Sequence, residues 1–367
     1  MEKFNEVVFL CGNGNSSLGI RILKELSKLL GKNCVFDHIN FSNYPERELD
    51  NNIVDYKKLK GKTVVFFQSM FSEQNILSEQ YFDEIIDLIW AAKHQYGANR
   101  ILGIFPFIKD RRQDPSMQEI ILADGSKKVA KPYEIQRLKK NFFFLKVAGL
   151  DGVLTATPHS NAMAEYCKEY KIKFHEIELS PVFVKNVHTF VKKEELNLVV
   201  AYAPDAGSIP RAIAFARIMN CPVYFNLKNR DENGNIKILD KLDQKAKTLE
   251  KKLRSYYEFK DIHFATSDLV KGKIIVMIED EVSSGDTANK TARNLKKFSV
   301  KSILFFATHS VLNSGWKKKF FKNEPFEVVG MADTIIRDYK NSTGGKILSI
   351  QTAPLFASSL FHLLKDG

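Results

Sequence analysis

The chain of 367 residues has no apolar run of the roughly 18 residues that a membrane helix needs. The longest candidates, Val64–Phe67 and Asn141–Leu145, have the length of strands or of amphipathic pieces. The opening Met1-Glu2-Lys3-Phe4-Asn5-Glu6 carries acids and only a five-residue apolar stretch before Gly12, which is not the pattern of a signal peptide. Cysteine is scarce. Cys11, Cys34, Cys167 and Cys221 show no CxxC spacing and no nearby paired histidines, excluding a disulfide framework and a zinc site. Together these absences lead us to expect a soluble, uncleaved protein of the reducing cytoplasm, with no membrane association.

No basic stretch is interleaved with aromatics, and the lysines are spread along the chain rather than gathered on one helix face. Nucleic-acid binding therefore rests on net charge alone and is not expected. That charge is +12, from 55 Lys and Arg against 43 Asp and Glu, and it suits an anionic partner such as nucleic acid, a membrane surface or a phosphorylated metabolite. Hydrophobic residues make up 44%, enough for each of about two domains to bury a core.

Short β-branched or aromatic runs alternate with longer segments of helical period. Strands are expected at Val7–Leu10, Thr63–Phe67, Arg100–Phe105, Gly152–Ala156, Leu198–Ala201, Val223–Phe225, Lys273–Ile278, Ser302–Ala307, Glu327–Gly330 and Lys346–Ile350. This alternation predicts an α/β protein with two doubly wound, mainly parallel sheets, whose ligands sit at the carboxyl ends of strands. Domains are expected at 1–152 and 153–350, with a C-terminal helix over 351–367 packing back on the first. Two polar stretches, Pro115–Pro132 and Asp231–Lys271, read as surface loops or insertions.

The strongest local signal is Ile274-Ile275-Val276-Met277-Ile278-Glu279-Asp280-Glu281-Val282-Ser283-Ser284-Gly285-Asp286-Thr287. An apolar strand ends in acids and passes through a small-residue turn into a helix. Hydroxyls and backbone N–H groups of such a turn form an anion cradle, and acids beside it can take ribose hydroxyls or hydrated magnesium. The plainer alternative is that Ser and Asp cap the helix. The segment resembles the phosphoribosyl-binding loop of type I phosphoribosyltransferase folds, D-D-x-x-D-T-G-G-T.

Four further segments follow the order found in ribose-phosphate pyrophosphokinases, and the chain is identified as a divergent member of that family. Phe105-Pro106-Phe107-Ile108-Lys109-Asp110-Arg111-Arg112-Gln113-Asp114 resembles I-P-Y-x-x-Y-A-R-Q-D; the resemblance gives Arg112 and Gln113 contacts to ATP and Asp114 a role in orienting the loop. Leu154-Thr155-Ala156-Thr157-Pro158-His159 resembles V-L-T-V-D-L-H, assigning His159 to the magnesium–ATP site. Ala203-Pro204-Asp205-Ala206-Gly207-Ser208-Ile209-Pro210-Arg211-Ala212 resembles S-P-D-x-G-G-x-x-R-A. It makes Asp205 a metal-linked carboxylate or ribose acceptor, with Arg211 placed to pair with carboxylates. Asn226-Leu227-Lys228-Asn229-Arg230 resembles the family's flexible catalytic loop with K-R-R, whose cations Lys228 and Arg230 would stabilise the transferring pyrophosphoryl group. Phe41, Asn43 and Glu46 fall where the family has the adenine-binding F-x-D-G-E.

The resemblance implies a magnesium-dependent transferase taking ATP and ribose 5-phosphate to phosphoribosyl pyrophosphate and AMP in nucleotide biosynthesis, as a homo-oligomer, dimer or hexamer. ATP would use Phe41, Asn43, Glu46, Arg112, Gln113 and Asp114. Ribose 5-phosphate would use Asp205, Glu279, Asp280, Ser283, Ser284, Gly285, Asp286 and Thr287. Catalysis would use Lys228, Arg230 and Asp280, and magnesium would use His159 and Asp205. Four departures stand out: Asn43 and Thr157 replace family Asp residues, Ser283 replaces the loop Asp, and Asp286 replaces a loop Gly. The losses at Thr157 and Ser283 favour, as an alternative, a synthetase-like regulatory subunit that binds nucleotide or sugar phosphate without turning it over, and retention of Lys228 and Arg230 opposes it.

Overall fold

A computed structural model describes residues 6–46, 48–71, 77–112, 119–121, 127–129, 135–226 and 244–366. The chain divides into two compact units.

The first unit comprises Met1–Glu178, Thr334–Ile336 and Thr352–Gly367. Its elements are β1 (Val7–Cys11), α1 (Ser16–Leu30), β2 (Ile39–Asn43), β3 (Leu49–Ile53), β4 (Thr63–Phe67), α2 (Ser78–Trp90), β5 (Arg100–Ile104), β6 (Glu119–Ile121), β7 (Lys127–Val129), α3 (Arg137–Ala148), β8 (Gly152–Ala156), α4 (Ala162–Glu169) and β9 (Lys173–Ile177). A parallel five-stranded sheet runs β1-β4-β5-β8-β9, with β2–β3 and β6–β7 as separate antiparallel pairs. Alternation along each strand sends neighbouring residues to opposite faces. Phe66 joins the core formed with Phe82 and Ile85 of α2 and Phe142 and Leu145 of α3. Phe67 turns the other way, to Gly19 of α1, where an added Cβ would come within 2.8 Å of the ring. Leu18, Ile22, Leu23 and Leu26 give α1 one buried stripe, and Gly31 at φ 63° ends it.

The second unit comprises Leu179–Asp333 and Arg337–Gln351. It contains α5 (Ser180–Phe190), β10 (Val199–Ala203), α6 (Ile209–Met219), β11 (Val223–Phe225), α7 (Gln244–Tyr256), β12 (Ile262–Phe264), α8 (Ser267–Val270), β13 (Ile274–Glu281), α9 (Asp286–Lys296), β14 (Ser302–His309), α10 (Trp316–Phe320), β15 (Val328–Ala332), α11 (Tyr339–Thr343) and β16 (Leu348–Ile350). The last helix, α12 (Ala353–Asp366), returns to the first unit and packs on α1. The sheet order β12-β11-β10-β13-β14-β15-β16 is parallel throughout. Every residue of β14 is buried, as expected of a strand covered on both faces. Burying a ring such as Phe305, which has no exposed surface, contributes roughly 2–3 kcal/mol.

The α/β class with mainly parallel sheets is as expected, but two boundaries differ. The division falls after Glu178 rather than at 152/153, because β8 pairs with β5 and β9 pairs with β8. Such pairing joins residues far apart in sequence, which local periodicity does not register. The Asp231–Lys271 stretch is not wholly an insertion either, since β12 pairs in register with β11 and extends the sheet.

Candidate functional site

Strand order picks out one place in the second sheet. The chain goes from β10 outward to β11 and β12, then returns to the other side of β10 to lay down β13. At such a reversal the loops leaving neighbouring strands part in opposite directions and open a crevice at their carboxyl ends. The residues bordering this crevice are Asp205, after β10, and Glu279 to Thr287, from the end of β13 into α9.

Asp205 caps a short turn that leads into α6. Its carboxylate accepts the Ser208 N–H at 3.1 Å, and the Ser208 hydroxyl lies 3.3 Å from the Asp205 N–H and donates to the Asp205 carbonyl at 2.8 Å. Ser208, which stands where that motif has Gly, thus completes a reciprocal cap. Arg211 follows on α6 and reaches β13, with Nη2 3.3 Å from Asp280 Oδ1 and 3.6 Å from Glu279 Oε2. Asp280 is only 5% exposed and would be costly to leave without a cation.

Past β13 the chain is pinned by the loop that follows β14. Leu312 N–H donates to the Val282 carbonyl at 2.9 Å, and Asn313 N–H donates to the Ser283 carbonyl at 2.9 Å. Asn313 Nδ2 donates to Ser283 Oγ at 2.6 Å, so the Ser283 hydroxyl keeps its own proton for another acceptor. Arg337 holds the same loop, Nε donating to the Ser310 carbonyl at 3.1 Å and Nη2 to that of Val311. Ser284 Oγ accepts the Asp286 N–H at 3.3 Å, a local turn contact that satisfies the first amide of α9, whose N-cap is Gly285. Gly285 precedes α9 at φ 70°, and an added Cβ would lie 2.2 Å from the Phe320 ring. Both the backbone and the space require glycine there.

In the first unit, Phe41 and Asn43 on β2 border a cavity of about 440 Å³ with the β1–α1 loop and α2. Glu46 lies exposed in the hairpin turn, outside that lining, and Arg112 does not border the cavity either. Arg111, not Arg112, is the buried arginine of its pair; it donates to the Thr157 carbonyl at 3.2 Å and lies over the Phe107 ring. Thr157 takes φ 32°, a rare conformation for a β-branched residue, directly before Pro158 and His159. His159 is partly buried after β8, in the first unit, whereas Asp205 is in the second. Gln113, Asp114, Lys228 and Arg230 lie outside the described residues.

The sequence reading passed over Gly12-Asn13-Gly14-Asn15-Ser16-Ser17, which carries the chain from β1 into α1 and borders the cavity. Its anchor is Glu84, 4% exposed, whose carboxyl accepts Asn13 N–H at 2.9 Å, Asn13 Nδ2 at 2.8 Å and Gln68 Nε2 at 2.9 Å. Burial holds the Glu84 pKa above the usual carboxylate value, while hydrogen bonds from Asn13 and Gln68 pull the other way. The Gly-Asn-Gly-Asn spacing between a strand and a helix was the available signal. Glu84 and its partners, 71 and 16 residues away, gave none.

Among the described residues, no helix is long and apolar enough to cross a membrane. No protein-family model matches the chain. It is 26% identical over 354 residues to the ribose-phosphate pyrophosphokinase of Ralstonia nicotianae, covering 96% of this chain and 94% of that one. The corresponding Clostridium perfringens protein is 27% identical over 357 residues, covering 97% and 93%. That of Burkholderia pseudomallei is 24% identical over 367 residues, covering 100% and 97%. Among solved structures, phosphoribosylpyrophosphate synthetase from Mycobacterium smegmatis superposes with a TM-score of 0.74 at 17% identity, covering 99% of this chain and all of that one, which shows a shared fold.

Proposed function

The chain is a divergent relative of the ribose-phosphate pyrophosphokinases, and from that premise we propose that it transfers pyrophosphate from ATP to the 1-hydroxyl of ribose 5-phosphate. The products are 5-phosphoribosyl 1-pyrophosphate and AMP. The observation that carries this reading is the convergence of Asp205, Arg211, Glu279, Asp280 and the Ser283–Thr287 turn on the crevice at the strand reversal.

In this reading the turn and the first amides of α9 take the 5-phosphate, while Asp205, Glu279 and Asp280 take ribose hydroxyls. The 1-hydroxyl oxygen attacks the β-phosphorus of ATP as the bond to the α-phosphate oxygen breaks. Its proton passes to Asp280 or Glu279, and AMP leaves. Lys228 and Arg230 balance charge on the transferring group. ATP is held by Phe41, Asn43, Glu46, Arg112, Gln113 and Asp114. The oxygen donors of Asp205, Glu279 and Asp280 suit magnesium, and His159 is a further ligand carried over from the family. Magnesium, when bound, offsets phosphate charge. Cytoplasmic location and assembly as a homo-oligomer, dimer or hexamer, belong to the same proposal.

A second reading, a regulatory subunit that binds nucleotide or sugar phosphate without turnover, is favoured by the loss of carboxylates at Thr157 and Ser283. One experiment separates the two. Purified protein is given magnesium, ATP and ribose 5-phosphate, and AMP and phosphoribosyl pyrophosphate are followed beside a Lys228→Ala/Arg230→Ala variant. Both products from the wild type and neither from a folded variant support the enzyme. Substrate binding by calorimetry with no product from the wild type supports the regulatory subunit.

A further inference from the structure

The turn at the start of α9 holds an acid where a phosphate would sit. Asp286 is the first residue of the helix, a position that the helix dipole favours for a carboxylate but that also places negative charge beside any anion bound at the same amides. The N-cap, Gly285, has no side chain with which to occupy those amides, although Ser284 Oγ takes the first of them, the Asp286 N–H. One turn further on, Lys290 Nζ lies 2.8 Å from Asp286 Oδ2. Both side chains are about two-fifths exposed, so the lysine can also lean towards a ligand. A pair of this spacing and exposure contributes little to helix stability. Its consequence lies in charge: Asp286 and Lys290 sum to zero, and the partial positive charge of the helix N-terminus is left unopposed.

Resting on the reading of Ser283–Thr287 as the sugar-phosphate cradle, we propose that Lys290 is a specificity-determining residue that masks Asp286 and so lets the start of α9 accept a phosphate monoester. Lys290 thereby compensates within the helix for the acid that stands where the family pattern has glycine.

The test is calorimetric titration of ribose 5-phosphate into the wild-type chain and into Lys290→Ala, Asp286→Asn, Asp286→Asn/Lys290→Ala and Lys290→Arg, with a thermal melt of each to establish folding. Lys290→Ala is expected to bind about tenfold more weakly, and that loss should shrink as ionic strength rises. Removing the acid as well should bring the double variant back to within about threefold of wild type, and Lys290→Arg should stay close to wild type. The proposal is overturned if Lys290→Ala binds as well as wild type, or if the double variant is as weak as Lys290→Ala, since the lysine would then not act through Asp286. No binding by the folded wild type would remove the cradle reading itself, a failure distinct from the loss of coupling between the two residues.

Discussion

The Arg211 guanidinium, carried on α6, stands 3.3 Å from the Asp280 carboxylate at the end of β13 and so ties together the elements on either side of the sheet's reversal. Replacing Arg211 by Ala removes one cation from beside two adjacent carboxylates. The expected loss is roughly 2–3 kcal/mol of stability, below that for a fully buried pair because Arg211 is partly exposed. Urea denaturation measures it. Arg211→Lys should recover part of the loss, and an unchanged urea midpoint in Arg211→Ala would show that the pair carries no stability.

Glu84 makes stability pH-dependent. Its folded pKa is raised, so the protonated form favours folding. That contribution is complete below the ordinary value of 4.5 and is lost as pH rises through the folded value. The stability of wild type minus that of Glu84→Gln should therefore fall from pH 4 to pH 8, as followed by urea midpoints across that range. Glu84→Ala, which strips acceptors from Asn13 and Gln68, should cost about 2 kcal/mol near pH 4 and less as pH rises.

Asn313 lies outside every motif yet sets the polarity of Ser283. Exchanging it for Asp puts a carboxylate beside Ser283 Oγ, where it would accept the hydrogen bond of the hydroxyl and add negative charge to the turn. Asn313→Asp should weaken ribose 5-phosphate binding by tenfold or more in a calorimetric titration, and Asn313→Ala by less. Equal affinities in all three proteins would mean that the Ser283 hydroxyl does not meet the phosphate.

Three of the four thiols should be nearly inert in the folded protein. Burial pushes Cys11, Cys167 and Cys221 up to about 12, with Glu84 adding to the effect at Cys11. At pH 8 only ~1 in 10⁴ of each is then thiolate. Ellman's reagent should react with them slowly before urea is added and rapidly afterwards; fast reaction of two or more of the four thiols in the native protein would contradict the burial.

What the sequence made legible was what neighbours in the chain decide. The run from Ile274 to Thr287 reads as strand, turn and helix because apolar period, small residues and capping acid follow one another directly, and β13 and α9 lie there. Arg211 was legible as a partner for carboxylates through its motif, and the structure supplies which ones. The hairpin of β2 and β3 was missed because Asn40, Ser42, Asn51 and Asn52 dilute the β-branched pattern, although Phe41 and Asn43 were singled out on it. Lys290 read as one more surface lysine, since only the helix places it over Asp286.

The first unit is made of chain from both ends. Most of it lies early in the sequence, but Thr334–Ile336 comes only after β15, and α12 only after β16, the last strand of the second unit. The Ser69 hydroxyl and Asn15 Nδ2 both donate to the Thr334 carbonyl, so the β1–α1 loop waits on a residue made 319 positions later. The unit whose strands come first in this sequence is therefore the one completed last, and losing the 14-residue helix α12 would strike a unit built mainly from residues more than 170 positions before it.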